Sequence, residues 1–332
     1  MPRVLVTPFM LYESPGPYRE VLEGAGFEVV YVPGNRPLAT PGALRAFLVE
    51  QRIEAVLASM EPFTREVLSG AALKVIARMG VGYDAIDVAA ATACGVAVTI
   101  TPGTNDVSVA EMTIALLLGV FRGFPACDLE VRGGRWRRSA LPRLEGRTLG
   151  LVGLGRIGKA VVPRAQGLGL KVIAYDPFPD TQFADGHDVR LVGFDKLLAA
   201  ADIVSLHLPC TAENVDLIDR AALAKMKPGA VLINTARGGL VDEDALADAL
   251  AEGRLFGAGL DVFKTEPLPA DSRLLKSDHV LMSPHMGGLD EESQIAMSTL
   301  AARCVADLYQ GRWPDGCVVN EALRAHWKWR ED

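Results

Sequence analysis

The sequence predicts an α/β protein of two doubly wound parallel-sheet domains, one inserted into the other. Three observations carry this. A chain of 332 residues exceeds one ordinary domain. Short β-branched runs alternate with helical patterns throughout, as parallel sheets wrapped by helices require. The alternation also comes in two series, and one last helix, about 290–310, is left over after the second. The economical path leaves a first domain near residue 101, builds a second, and returns near residue 287.

In the first series, strands are expected at Val4–Thr7, Glu28–Val32, Ala55–Ala58, Lys74–Ala77 and Val96–Thr99. Helical stretches fall between them, near 17–25, 42–51, 64–70 and 84–93. Asp106 to Arg122 is apolar around most of its circumference, which predicts a buried helix, placed here between domains. The second series begins at Thr148, with strands expected at Leu149–Gly153, Lys171–Tyr175, Ile203–Leu206, Ala230–Asn234, Gly257–Leu260 and His279–Met282. Between the series, Arg132, Arg135, Arg137, Arg138, Arg143 and Arg147 surround Trp136 in a stretch that Gly133-Gly134 and Pro142 mark as a loop. The tail, Ala322 to Arg330, holds Trp327 and Trp329 and is expected to make a partner contact.

Composition narrows the function classes. The chain is 49% hydrophobic and 23% charged, ordinary for a globular protein, and its formal charge of −7 argues against a nucleic-acid partner. Basic loops on acidic proteins usually solvate or pair locally. An anionic substrate must therefore be drawn by a few placed arginines. Five scattered cysteines, Cys94, Cys127, Cys210, Cys304 and Cys317, fit reduced, mostly core thiols rather than a disulfide frame or a zinc site. His187, His279 and His326 have no metal-ligand spacing, so no metal is expected. The start, MPRVLVTPFMLYESPGP, reads as a first strand and its loop rather than a signal peptide. Val109–Phe121 is too short to span a bilayer. A cytoplasmic protein without a membrane partner is expected.

Gly153-Leu154-Gly155-Arg156-Ile157-Gly158 follows an apolar strand and opens a helical run, the context that a dinucleotide-binding loop demands. Gly153 permits the tight turn, Gly155 lets amides approach a pyrophosphate, and Gly158 lets helix and strand pack. Arg156 and Ile157 lie within that loop. The next strand ends in Asp176, 18 residues beyond Gly158, where a carboxylate accepts the adenosine ribose hydroxyls. A carboxylate repels a 2′-phosphate and Pro177-Phe178-Pro179 has no Arg to bind one, so NAD is favoured over NADP.

Three segments then end apolar strands with polar residues: AVLINTARGG with Arg237, LDVFKTEP with Asp261 and Glu266, and SPHMGG with His285. Ligands bind at the C-terminal strand ends of a parallel sheet, so Arg237, Glu266 and His285 are expected to converge. Moving a hydride from a dinucleotide to a carbonyl needs hydride at carbon and a proton on oxygen. A histidine, with a reference pKa of about 6.5, transfers that proton near neutrality. Arg237 offers the paired donors that bind a carboxylate and polarise a carbonyl.

GLGRIG, the acid after the next strand, NTARGG, LDVFKTEP and SPHMGG together resemble the D-isomer-specific 2-hydroxyacid dehydrogenases, in order and at similar spacing. Arg237 and Glu266 lie 29 residues apart, Glu266 and His285 19. ARMGVGYDAID and TPGTNDVSVAE extend the resemblance into the first half. It implies a Rossmann cofactor domain, 102–286, inserted into a discontinuous flavodoxin-like substrate domain, 1–101 and 287–332. It implies the triad Arg237, Glu266 and His285, with Glu266 hydrogen-bonding the imidazole and favouring its charged form. It also implies carboxylate-binding amides at Gly80-Val81-Gly82, with Arg78 an additional candidate for which packing at the core edge is an equal alternative. Val81, Thr104 and Asp261 would lie near the nicotinamide, the last holding the carboxamide. Thr235 and Ala236 would line the pocket through backbone contacts, and His207 and Pro209 would form a wall of it. A homodimer through the cofactor domain is implied as well.

Three rivals share these motifs. Formate dehydrogenase relatives carry Gln where this chain has Glu266. D-3-phosphoglycerate dehydrogenases tend to carry a basic residue after the third strand, where this chain reads Ala58-Ser59-Met60-Glu61, and some append a regulatory domain for which this chain ends too soon. An NAD-sensing corepressor of the same fold lacks support from any basic targeting run or disordered tail. The apolar loop Phe9-Met10-Leu11-Tyr12 is expected to face the cleft and to favour an uncharged substituent.

Overall fold

A computed structural model of the chain describes residues 1–12, 16–34 and 38–329. It divides into two compact units, Met1–Asn105 with Asp290–Asp332, and Asp106–Leu289.

The first unit is built on five strands: β1 (Arg3–Val6), β2 (Glu28–Tyr31), β3 (Ala55–Ala58), β4 (Val75–Arg78) and β5 (Ala97–Thr99). Every ladder is parallel and the order is β2-β1-β3-β4-β5, the flavodoxin arrangement. Central strands of such a sheet are covered on both faces, which is why β3 reads as an uninterrupted buried AVLA. Leu5, Val56, Ile76 and Val98 pack with Leu44, Phe47, Leu48, Val67 and Leu68 from the helices. The helix Pro41–Glu50 starts where Thr40 caps it, accepting from the Ala43 N–H, with Pro41 in its first turn.

The later part of the chain completes this unit. The helix Glu291–Tyr309 is capped by Asp290, which accepts from the Ser293 N–H at 2.6 Å, and it packs on the helix Pro17–Gly24 and on β3 and β4. Beyond it, Val318 bridges Thr99, and Asn320 accepts from the Val98 N–H while donating to the Val96 carbonyl and Thr92 Oγ1. The tail differs from expectation. Trp329 is buried edge-on against Phe27 and Tyr309 and donates to Glu54, and Trp327 donates to the Gly95 carbonyl. These rings pack on their own unit instead of being held out for a partner; Arg330 lies outside the described residues.

The second unit has seven parallel strands: β6 (Thr148–Val152), β7 (Lys171–Tyr175), β8 (Arg190–Leu191), β9 (Ile203–Leu206), β10 (Ala230–Asn234), β11 (Leu255–Leu260) and β12 (Val280–Met282). Their order, β12-β11-β10-β9-β6-β7-β8, reverses direction between β6 and β9, the switch point at which doubly wound folds bind nucleotides. Edge strand β8 has two residues, too short to leave a pattern in sequence.

The helix Asp106–Arg122, expected between domains, buries its apolar side within this unit, against β10, β11, β12 and the helix Arg156–Gly167. Two glycines of β11 admit it: a Cβ on Gly259 would stand 2.9 Å from Leu116 Cβ, and one on Gly257 2.8 Å from Val120 Cγ1. A short helix, Phe124–Arg132, follows, so Arg132 ends a helix instead of opening a loop. The arginines pair locally, Arg132 with Asp128 and both Arg135 and Arg137 with Glu130. All five cysteines are free thiols, but Cys94 and Cys127 are exposed and only Cys304 and Cys317 are fully buried, fewer core thiols than expected. Among the described residues, no single helix is long and apolar enough to cross a membrane.

Candidate active site

The glycine loop joins β6 to the helix Arg156–Gly167. Gly153 has φ +107°, and a Cβ there would meet the His207 carbonyl at 2.6 Å, so only glycine lets the end of β9 approach. A Cβ on Gly158 would stand 2.4 Å from the Gly153 carbonyl oxygen. At Gly155 the space is open, and that residue begins the helix with no side-chain cap. The first helical amides, from Arg156 and Ile157 onward, thus have a clear face over which an anion fits. Asp176 ends β7 and leans on the same loop, its Oδ2 accepting from the Leu154 N–H at 2.7 Å and its Oδ1 from the Phe178 N–H at 2.8 Å. A carboxylate has about four acceptor positions, so two remain for hydroxyl groups.

His207 directly follows β9 and stands beside this loop, its N–H donating to the Val152 carbonyl at 2.7 Å. Burial pushes its imidazole down to about 4, so the ring is neutral. Its Nε2 meets Ser205 Oγ at 2.9 Å, while the buried Nδ1 has no partner among the described residues. Pro209, two residues on, is exposed. Thr235 turns its hydroxyl to Thr113, 2.9 Å away, leaving its main chain to line the surface beside Ala236. The open helix start, the tight cradle and the orphaned imidazole nitrogen fit a dinucleotide.

Arg237, Glu266 and His285 follow the neighbouring strands β10, β11 and β12. His285 Nδ1 stands 2.7 Å from Glu266 Oε2, and Glu266 Oε1 accepts from the Phe263 N–H at 2.9 Å. Burial pushes the Glu266 carboxyl up, but its bonds from His285 and Phe263 and the charges of His285 and Arg237 outweigh that, holding it below the ordinary carboxylate range. The carboxylate is therefore ionised, Nδ1 carries the proton toward it, and Nε2 is left to exchange one. Arg237 donates from Nη1 to the Ala236 carbonyl at 2.6 Å. The turn that presents it is tied by Asn234, which accepts from the Ala236 N–H and donates to the Arg237 carbonyl. Sequence reasoning passed over Asn234; a polar residue closing the otherwise apolar AVLIN strand was the available signal.

Asp261 occupies a different setting from the one expected of a cofactor ligand alone. It is 1% exposed, and its carboxylate accepts from Ser283 Oγ at 2.5 Å, the Met286 N–H at 2.8 Å and the Gly287 N–H at 2.7 Å. Its carbonyl takes the His285 N–H at 2.8 Å. Three of its four acceptor positions thus hold the turn carrying His285, which has φ +55°. Ser283 was not singled out in sequence, because its partner lies on another strand.

The remaining sequence-predicted residues belong to the first unit. Gly80 has φ +135° and its N–H donates to Thr101 Oγ1 at 2.9 Å, so the loop offers an anion the amides of Val81 and Gly82 only. Arg78 ends β4 and lies against Met60, Nη2 to Sδ 3.6 Å, and against its own loop through the Met79 carbonyl. Thr104 donates to the Thr101 carbonyl at 2.6 Å. The loop after β1 departs from expectation: Leu11 is buried in the core, Tyr12 bonds the Val32 N–H, and Phe9 is the exposed apolar residue. A 3₁₀ turn, Phe9–Leu11, rolls the loop so that its side chains cannot share one face. Among the described residues no group of three or more His, Cys, Asp or Glu side chains could hold a metal ion.

Comparison with known proteins gives this geometry a context. The family described as D-isomer specific 2-hydroxyacid dehydrogenase, NAD binding domain, matches residues 114–287. A D-3-phosphoglycerate dehydrogenase of Mycobacterium tuberculosis is 47% identical over 267 residues, 78% of this chain and 50% of that one. A glyoxylate reductase of Korarchaeum cryptofilum is 40% identical over 271 residues, 80% of this chain and 82% of that one. The solved TT0316 protein of Thermus thermophilus superposes with a TM-score of 0.86 at 37% identity, covering 96% of this chain and 100% of that one. This chain spans about half the length of the phosphoglycerate dehydrogenases it matches. The matched segment runs from inside the helix Asp106–Arg122 to the turn after His285, and so contains both the glycine cradle and the Glu266–His285 pair; the chain belongs to the D-isomer specific 2-hydroxyacid dehydrogenase family and carries its NAD-binding domain.

Proposed function

We propose that this protein is an oxidoreductase that passes a hydride between NAD(H) and a small D-2-hydroxy acid or its 2-keto acid. The single observation that carries the reading is the 2.7 Å contact between His285 Nδ1 and an ionised Glu266, which leaves Nε2 as a proton donor and acceptor. Gly153, Gly155 and Gly158 would hold the pyrophosphate of NAD(H) and Asp176 its ribose, and the bound cofactor would supply or take up the hydride. His285 Nε2 gives a proton to the keto oxygen in reduction and removes it from the hydroxyl in oxidation. The Glu266 carboxylate holds the ring in the tautomer that carries its proton on Nδ1. Arg237 binds the substrate carboxylate and polarises the carbonyl, where positive charge matters most as the oxygen becomes anionic. In the first unit, the Val81 and Gly82 amides are suited to an anion, with Arg78 nearby in sequence. Thr235, Ala236, His207 and Pro209 would line the cofactor pocket, and Asp261 would spend its last acceptor position on the carboxamide.

The decisive test is NADH and NADPH oxidation with glyoxylate, pyruvate, hydroxypyruvate and 3-phosphohydroxypyruvate. Turnover with NADH is expected; tight NAD binding with no turnover on any of them would sink the enzyme reading in favour of an NAD-sensing binding protein. A second reading, D-3-phosphoglycerate dehydrogenase, is favoured by the 47% identity to the mycobacterial enzyme. Against it, the loop after β3 presents an exposed Met60 and Glu61, which accepts from the Ser59 N–H at 2.8 Å and suits a phosphate poorly. A clear preference for 3-phosphohydroxypyruvate would reverse that judgement.

We further infer a cytoplasmic homodimer formed through the NAD-binding unit. Free thiols throughout support the compartment. Phe124, Leu129, Val131 and Trp136, all more than half exposed within a few turns of chain, support a second copy. Sedimentation at micromolar concentration tests this, and a monomer would refute it.

A further inference from the structure

The loop that carries Glu266 is held from behind by Glu243. Two consecutive amides of this loop each donate to a carboxylate. The Phe263 N–H goes to Glu266 Oε1 at 2.9 Å, and the Lys264 N–H goes to Glu243 Oε1 at 2.6 Å. Glu243 opens the helix Glu243–Ala251, which Asp242 caps by accepting from the Ala245 N–H at 3.0 Å. That helix follows directly on the segment presenting Arg237. The Lys264 ammonium is paired at 2.5 Å with Asp216, whose own N–H donates to the Gly239 carbonyl. Burial pushes the Lys264 ammonium down, but Asp216, Asp242 and Glu243 outweigh it and hold it charged. Packing closes the same joint: a Cβ on Gly238 would stand 1.9 Å from the Phe263 carbonyl carbon, so the two main chains touch directly.

We propose that Glu243 is a positioning residue: by holding the Lys264 N–H it fixes the 263–266 loop against the Arg237 segment, and so sets where Glu266 orients His285. This rests on the acid–base reading given above. A glutamate is suited to the task because one oxygen reaches the amide while the carboxylate as a whole faces the Lys264 charge. A bond from a charged acceptor is also stronger than one from a neutral acceptor. The neighbouring amide bond belongs to Glu266 itself. Without Glu243, one end of a three-residue link between the carboxylate and its anchor is loose, and small misplacements of a general acid are costly in rate.

The test compares Glu243→Ala with Glu243→Gln, which keeps an acceptor oxygen at the same reach. Steady-state kcat and KM are measured with NADH and the best-used of the four keto acids named above, and the NAD Kd by calorimetry. Glu243→Ala is expected to lower kcat roughly tenfold while the NAD Kd stays at the wild-type value, and Glu243→Gln to recover most of the loss. A split of this kind is not produced by general destabilisation, which would weaken NAD binding as well. If Glu243→Ala fails to fold, Glu243→Asp, one methylene too short, takes its place in the comparison. Wild-type kcat in the Ala or Asp variant would overturn the proposal, and so would an equal loss in Gln. Should His285→Ala retain full turnover, the acid–base reading itself has failed. An inactive His285→Ala beside an undisturbed Glu243→Ala removes the positioning role alone.

Discussion

Asp261 holds His285 by both main chain and side chain: its carbonyl takes the His285 N–H, and its carboxylate takes the amides of the two residues that follow. A residue with φ +55° outside glycine is strained, and these bonds keep the turn in place.

Asp261→Asn tests the clamp. An amide placed there sets an NH₂ group against the Met286 N–H or the Gly287 N–H, whichever way it turns. Two donors facing each other in a buried site cost about 1–3 kcal/mol. A lower midpoint of thermal unfolding and a reduced kcat are expected together; an unchanged melting curve would show the clamp to be dispensable.

For His285→Ala, kcat is expected to fall by roughly 10²–10⁴, the scale of a lost proton-transfer group. The NAD Kd should hold, because the glycine cradle is intact. Stopped-flow and equilibrium titration on the same preparation decide it, and retained turnover would refute the assignment.

Two glycines of one loop should separate packing from binding. Gly158→Ala sets a Cβ 2.4 Å from the Gly153 carbonyl oxygen and is expected to destabilise the fold by about 1–3 kcal/mol. Gly155→Ala meets no atom within 4 Å, so its melting temperature should stay near wild type while NAD binding weakens severalfold. Undiminished stability in Gly158→Ala would remove its packing role, and normal NAD affinity in Gly155→Ala would mean that the loop does not cradle the pyrophosphate.

Asp176→Ala should weaken NAD binding and narrow the preference over NADP, since the charge facing the ribose is gone. Part of the loss reflects the freed Leu154 N–H, which donates to Asp176 in the native protein. Affinities for both nucleotides, measured side by side, separate the two effects: a loop effect lowers both equally, and an unchanged ratio would remove the ribose role.

His207 predicts a pH dependence of stability. Its folded pKa, about 4, lies below the unfolded value near 6.5. Between those limits the unfolded chain binds a proton that the folded chain does not. Stability is therefore full above pH 6.5 and falls as pH drops toward 4, by on the order of 3 kcal/mol. Urea unfolding of wild type and His207→Gln at pH 7.5 and 4.5 should show a smaller acid loss in the variant. Equal losses in both would exclude His207 as the source.

What could be read in the sequence was whatever depends on local pattern. The β-branched runs marked eleven strands, because a strand covered on both faces is apolar along most of its length, as AVLA and the first four residues of AVLIN are. Arg237, Glu266 and His285 could be grouped because parallel strands end on one side of a sheet. The glycine loop was legible through the turn it forces. What depends on register or on side-chain direction was hidden. Strand β8 has too few residues to show a period. Leu11 points into the core because the 3₁₀ turn rolls its loop, and the Asp261 bonds to residues 283–287 exist only once β12 is aligned beside β11. Trp329 looked like an exposed tail because its partners, Phe27 and Tyr309, come from distant segments.

The first unit is closed by chain that follows the second: the helix Glu291–Tyr309 covers β3 and β4, and Asn320 joins β5. During synthesis the ribosome delivers every strand of the NAD-binding unit before it delivers that helix. The first unit is thus the last to be finished, and β3 and β4 wait without that helix while the inserted unit assembles.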